Sequence, residues 1–165
     1  MNTSRFRLPR RVLRGSLAFG LAAGVAAVVF AHGDVVPQAV DTSTLPQLGA
    51  KWRDANPYNE ASPARGEALR IGTSAYNQNC ARCHGLEAIS GGISPDLRKL
   101  DGDCTGLADK AKQQACFKEM DDYFVATVRH GRVRDGRVYM PPFEGTLTQE
   151  AIWAIRTYIE TRREP

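Results

Sequence analysis

The pentapeptide Cys80-Ala81-Arg82-Cys83-His84 decides how this chain is read. In an exported protein, C-x-x-C-H is the spacing of covalent haem attachment. Each thiol adds across one haem vinyl group to form a thioether, and the next residue's imidazole lies under the iron as proximal ligand. One tight turn must supply all three groups, because the dimensions of haem fix their separations. A bare C-x-x-C also suits half of a zinc site, which needs two further N or S ligands at matching spacing. It suits a thioredoxin-type redox pair as well, set in a βαβ context. No βαβ pattern accompanies the motif, and the adjacent His favours haem.

Residues 1–31 are read as a secretory leader. Arg5, Arg7, Arg10, Arg11 and Arg14 precede an apolar run from Gly15 to Phe30, no acidic residue intervenes, and Ala31 offers a small residue for cleavage. The alternative is an uncleaved anchor, but the run is shorter than the roughly 20 residues needed to span a bilayer. Arg10-Arg11 raises twin-arginine export, although the fuller motif is missing and general secretion fits better. The leader also dominates the charge. The whole chain has 165 residues, with 22 basic against 18 acidic and a net charge of +4. Five of the basic residues lie in the leader, which leaves 17 against 18, or −1. Two haem propionates would take this to about −3. The basic isoelectric point is therefore no sign of nucleic-acid binding.

The rest of the chain suits one small domain whose limited core is supplemented by a large apolar cofactor. With Cys80 and Cys83 taken by haem, Cys104 and Cys116 remain. Outside the cytoplasm such a pair is expected to close a disulfide; two buried thiols are the alternative. Residues 32–61 are punctuated by Pro37, Pro46 and Pro57 and keep no period, so an extended arm is expected, anchored by Trp52 and Tyr58. His32, should it become the new N-terminus, is read as solvated rather than copper-binding.

A first helix is expected from near Ser62, with Pro63 at its first position, running into the haem motif. Leu69, Gly72, Tyr76 and Cys80 share one face of it, with Gly72 allowing another helix close approach. Gly85 to Gly102 reads as an irregular loop around haem. The Pro95 carbonyl is a candidate acceptor for the His84 ring N–H, and Leu97 and Leu100 are candidates to cover a haem edge. Asp101-Gly102-Asp103 lacks the rest of a calcium loop and reads as a turn. Residues 107–129 read as a helix with Phe117, Met120, Phe124 and Val128 inward, Lys118, Glu119, Asp121 and Asp122 in water, and Gly131 as its stop. A last helix, capped by Thr148 and reaching roughly Arg163, buries Ile152, Ile155 and Ile159, with Trp153 and Tyr158 nearby.

Met140 is the expected distal iron ligand, because a proline-stiffened loop (Met140-Pro141-Pro142) suits a thioether that must meet both oxidation states without reorganising. His130 competes but sits at a helix end; Met120 belongs to an apolar stripe. With His84 and Met140 both bound, the iron has no ready site for oxygen, peroxide or substrate, and one-electron transfer remains. Arg129, Arg132, Arg134 and Arg137 form either a docking patch for an acidic partner or a set that neutralises propionates and faces solvent.

The order of helix, Cys80-Ala81-Arg82-Cys83-His84-Gly85, proline loop, Met140 segment and aromatic-bearing last helix resembles the class I cytochromes c. Gly72 and Tyr76 stand eight and four residues before Cys80, as in that family's first helix, which crosses its last. More closely, the chain is similar to the c-550 cytochromes that accept electrons from PQQ-dependent (quinoprotein) alcohol dehydrogenases. Tyr76-Asn77-Gln78-Asn79, Gly85-Leu86-Glu87-Ala88-Ile89-Ser90-Gly91-Gly92, Leu100-Asp101-Gly102-Asp103-Cys104 and Val138-Tyr139-Met140-Pro141-Pro142-Phe143-Glu144-Gly145 carry that similarity. The resemblance implies an all-α class I cytochrome c fold over residues 62–165, with helices and loops around one covalent haem c. It also implies a soluble periplasmic shuttle between the dehydrogenase and a terminal oxidase or another cytochrome, a carrier rather than an enzyme. The competing functions are a haem enzyme or gas sensor with an open sixth position, and a fixed haem subunit of a larger oxidoreductase.

Overall fold

The computed structural model describes residues 36–92 and 94–164. The leader read over residues 1–31 and the first four residues of the arm lie outside them. Among the described residues, five helices, labelled α1 to α5, and one two-stranded hairpin make up the regular structure: α1 Arg65–Asn79, α2 Ala81–His84, α3 Gly102–Thr105, α4 Lys110–His130, β1 Arg132–Arg134, β2 Arg137–Met140 and α5 Gln149–Glu160. Single 3₁₀ turns at Leu86–Ala88 and Leu97–Lys99 punctuate the expected haem loop.

The fold is built on the crossing of α1 over α5. Ala68, Ile71, Gly72, Ala75, Tyr76 and Asn79 are the buried residues of α1, and the small ones among them, Ala68, Gly72 and Ala75, let the two backbones meet. A Cβ on Gly72 would stand 1.9 Å from the Ala154 carbonyl oxygen, so only glycine fits there. One turn on, the Tyr76 and Tyr158 rings stack at a tilt, 5.0 Å apart. Thr148 caps α5 by accepting the Ala151 N–H at 3.2 Å. From Gln149 to Ile159 every residue of α5 is buried, charged ones included. Such a helix is enclosed on all sides: α1 and α4 pack on it, and the arm ties to its first turn.

The arm has neither helix nor strand between residues 36 and 64, yet Leu45 and Tyr58 enter the same core as the helices. Side chains supply its backbone partners: Leu48 N–H donates to Glu150 Oε1 (2.7 Å), Arg53 N–H to Gln149 Oε1 (2.8 Å) and Asn56 N–H to Asp121 Oδ2 (3.0 Å). Buried backbone groups need such partners wherever no ladder provides them.

Asp109 caps α4, its carboxylate accepting the Ala111 and Lys112 N–H groups. The helix ends at Gly131, whose φ of 69° belongs to glycine and whose missing side chain admits the returning chain; a Cβ there would lie 2.4 Å from the Met140 carbonyl oxygen. Cys104 on α3 and Cys116 on α4 form the disulfide, with Cα atoms 5.5 Å apart.

Five details differ from the sequence reading. The first helix begins at Arg65 rather than Ser62, and the last ends at Glu160 rather than near Arg163. Met140 closes a β-strand instead of sitting in a loop, because Asp135-Gly136 forms a tight hairpin turn with both residues at positive φ. Asp121 is buried, not solvated, and Asp101 is far more than a turn residue. Arg156, itself 1% exposed, donates from Nε to Asp121 Oδ1 (2.7 Å) and from Nη2 to Asp101 Oδ2 (2.8 Å), and Arg163 adds a second grip on Asp101. Two acids and two bases thereby neutralise one another where α4, α5 and the α3 turn meet. Buried charges persist only in such an arrangement.

Candidate haem site

Cys80 follows the last residue of α1 directly, so the helix aims the motif. The Cys80 N–H still reaches Tyr76 O (2.8 Å), while Cys83 and His84 N–H both return to Cys80 O (3.1 and 2.9 Å) and Gly85 N–H to Ala81 O (2.8 Å). This single helical turn presents two sulfurs three residues apart with the imidazole adjoining. Both cysteines are free thiols and partly buried. Burial, helped by the neighbouring Cys83, pushes the Cys80 thiol up to about 12. A redox pair or thiolate ligand needs the opposite shift.

His84 Nδ1 lies 2.9 Å from the Pro95 carbonyl oxygen. A carbonyl only accepts, so Nδ1 carries the hydrogen and Nε2 keeps its lone pair for a metal. The sequence reading named this pair, and the Leu97–Lys99 turn stands just beyond Pro95. Behind it, Tyr76 Oη donates to Gly85 O at 2.8 Å. Burial raises the Tyr76 phenol well above its ordinary range and keeps that donor protonated.

Met140 is partly buried and packs on the core cluster that also receives Cys80, Ala81, Leu97 and Leu100. His130, the competing ligand, is exposed at the end of α4, with Nε2 3.4 Å from Glu144 Oε2. Met120 is partly buried on α4. Among the described residues, no group of three or more His, Cys, Asp or Glu side chains is placed to hold a bare metal ion, so Cys80 and Cys83 have no zinc partners there. Two free sulfurs and an imidazole oriented through Nδ1 fit covalently attached haem.

A family model described as cytochrome c oxidase, cbb3-type, subunit III, matches residues 67–159, from the first turn of α1 to the end of α5. The chain belongs to the c-type cytochromes. Cytochrome c550 of Pseudomonas aeruginosa is 51% identical over 91% of this chain and 93% of its own length. Two proteins of Pseudomonas putida, the quinohemoprotein alcohol dehydrogenases ADH-IIG and ADH IIB, match at 33% and 30% identity over 58% of the chain but only 11% of their own length. No solved structure matches. As a c-type cytochrome of class I fold, the protein carries one covalent haem c and acts as an electron carrier, not an enzyme.

The sequence reading missed what surrounds Met140. Arg129 lies over the Trp52 ring, 4.5 Å from its centroid, and its Nε donates to Glu144 Oε1 at 2.9 Å. It therefore clamps the arm to the segment after the methionine and is not free for docking. Arg132 lies over the Tyr123 ring (4.9 Å) and donates to Thr127. No local pattern announces contacts of this kind.

Proposed function

We propose that this cytochrome is a periplasmic carrier of single electrons, reduced by a PQQ-dependent alcohol dehydrogenase and oxidised by a terminal oxidase or another cytochrome. Cys80 and Cys83 would hold the haem, His84 Nε2 would ligate the iron on one side and Met140 Sδ on the other. Haem so bound supplies a one-electron couple with no vacant position for substrate. The protein's own task is to hold these groups still. Pro95 O keeps His84 in one tautomer and orientation, Tyr76 pins the carbonyl of the following residue, and Pro141-Pro142 stiffen the chain after Met140.

The observation that carries the reading is the oriented imidazole beside two free, partly buried thiols. The arginine-rich, apolar leader over residues 1–31, cleaved near Ala31, supports export. The Cys104–Cys116 disulfide fits an oxidising compartment. We read residues 32–61 as an arm and 62–165 as the haem domain. The dehydrogenase is favoured because a domain-sized stretch of two quinohemoprotein alcohol dehydrogenases matches this chain. Stopped-flow reduction of the purified holoprotein by the quinoprotein alcohol dehydrogenase of the same cells tests it. Fast, saturable reduction is expected; a protein reduced by dithionite but inert toward the dehydrogenase would end the assignment of that donor.

A second reading, a haem subunit fixed in a larger oxidoreductase, draws on the same matches and on the oxidase-subunit family. Size-exclusion of the native periplasmic protein separates them, since a shuttle elutes near its own mass.

A further inference from the structure

The hairpin that ends in Met140 is inverted relative to an ordinary surface ribbon. Its register pairs Arg132 with Met140, Val133 with Val138 and Arg134 with Arg137, with Tyr139 as the extra residue. Strand alternation then puts Arg132, Arg134, Arg137 and Met140 on one face and Val133 with Val138 on the other. At the base of the ribbon the first face turns toward the body of the protein, where Met140 packs on the core and Arg132 lies over Tyr123 on α4, whereas Arg134 and Arg137 at its tip are exposed. The valine face therefore points away. Val133 is 67% exposed, Val138 65% and Tyr139 64%.

Two features of this ribbon work against its own stability. An isolated two-stranded hairpin is marginal in water, and an outward apolar pair leaves its cross-strand contact wet. Arg134 directly opposite Arg137 is a like-charge pair, which is destabilising, and its single nearby acid is Asp135, 3.7 Å from Arg134 and fully in solvent. Arginine and tyrosine around an apolar centre are, however, what a protein-binding core is made of.

We propose that the Arg132–Met140 hairpin is a docking knob whose outward Val133–Val138 face, with Tyr139 beside it and Arg134 and Arg137 exposed at the ribbon's tip, seats on an apolar patch with an acidic rim on a redox protein. The inference rests on the carrier reading and deepens it. The occupant is set by complementarity: the valine pair needs an apolar counterpart, and two exposed guanidinium groups, of which Arg134 has the exposed Asp135 beside it, favour carboxylates on the partner. Because Met140 terminates the same ribbon, a partner seated there lies beside the segment that would ligate the iron. Arg129, held by Glu144 and Trp52, takes no part.

The test uses two holoprotein variants, V133T/V138T, which keeps the β-branched shape, and R134Q/R137Q. Each is mixed in stopped flow with the quinoprotein alcohol dehydrogenase and with oxidase-containing membranes of the same cells. The valine variant should react about tenfold more slowly with at least one of them, with midpoint potential and reduction by hydroquinone unchanged. The arginine variant should show a similar loss that shrinks at high salt. Wild-type rates with both partners in the valine variant overturn the knob and leave the carrier reading standing. So does a loss confined to the arginine variant, or a parallel loss with hydroquinone. A wild-type protein inert toward both partners removes the carrier reading and this proposal with it.

Discussion

At His84 the deciding atom is Nδ1, whose hydrogen goes to the Pro95 carbonyl. That bond fixes which nitrogen can face iron and strengthens it as a donor. Met140 is the residue proposed for the iron's other face. Met140→Ala is expected to abolish the far-red sulfur-to-iron charge-transfer absorption of the ferric protein, lower the midpoint potential and admit carbon monoxide to the ferrous protein. Optical titration decides this, and a variant with an unchanged spectrum would move the ligand elsewhere. Asp101 is the residue whose importance the sequence concealed. Burial alone would raise its carboxyl, but hydrogen bonds from Arg163 and Arg156 win and hold it below the usual range. Asp101→Asn leaves Arg156 buried with one of its two acids neutralised. A loss of about 3 kcal/mol in urea unfolding is expected, and a change under 1 kcal/mol would mean that the pair is energetically replaceable.

Among the elements, α1 and α5 carry the architecture, and their contact depends on one missing methyl group. Gly72→Ala would drive a Cβ into the Ala154 carbonyl. The helices must then separate, at a cost of about 3 kcal/mol, with Tyr76 and Tyr158 pulled apart. Thermal unfolding of the holoprotein should show a clearly lowered midpoint; an unchanged one would mean that the crossing is looser than the structure shows. This element was readable beforehand, since Gly72 stands on the apolar stripe of a helix whose period is local. The hairpin was partly readable. Asp135-Gly136 between alternating residues is a strong two-residue turn signal, but the arginines on one face concealed the alternation. The disulfide-linked turn α3 and the capped start of α4 are local features. The partners of Arg156 are not: Asp121 stands 35 residues from it and Asp101 55.

For the whole molecule, the carboxylates predict how it behaves in acid. Asp101 in the core is held low, and so are the more exposed Asp96 and Glu144, each chiefly by hydrogen bonds from an arginine. A carboxylate whose folded pKa lies below its unfolded value contributes stability that is fully present above the unfolded value, about 4. The contribution is lost as pH falls through the folded value. Unfolding free energy should therefore be flat in these groups from pH 7 to 5 and drop below about pH 4. Asp101→Asn should flatten the drop, because the exposed pairs are screened and contribute little; equal acid slopes in both proteins would place the sensitivity elsewhere. The haem motif, the helix carrying it, the cap of the last helix and the family follow from residues within one or two turns of each other, where spacing alone sets geometry. Tertiary structure alone decided that Asp121 is buried, that a strandless arm is held by Gln149 and Glu150, that Arg129 is occupied, and that Val133 and Val138 face outward. Each of those depends on which distant group arrives to satisfy a charge or a backbone N–H, and hydrophobic periodicity carries no record of that.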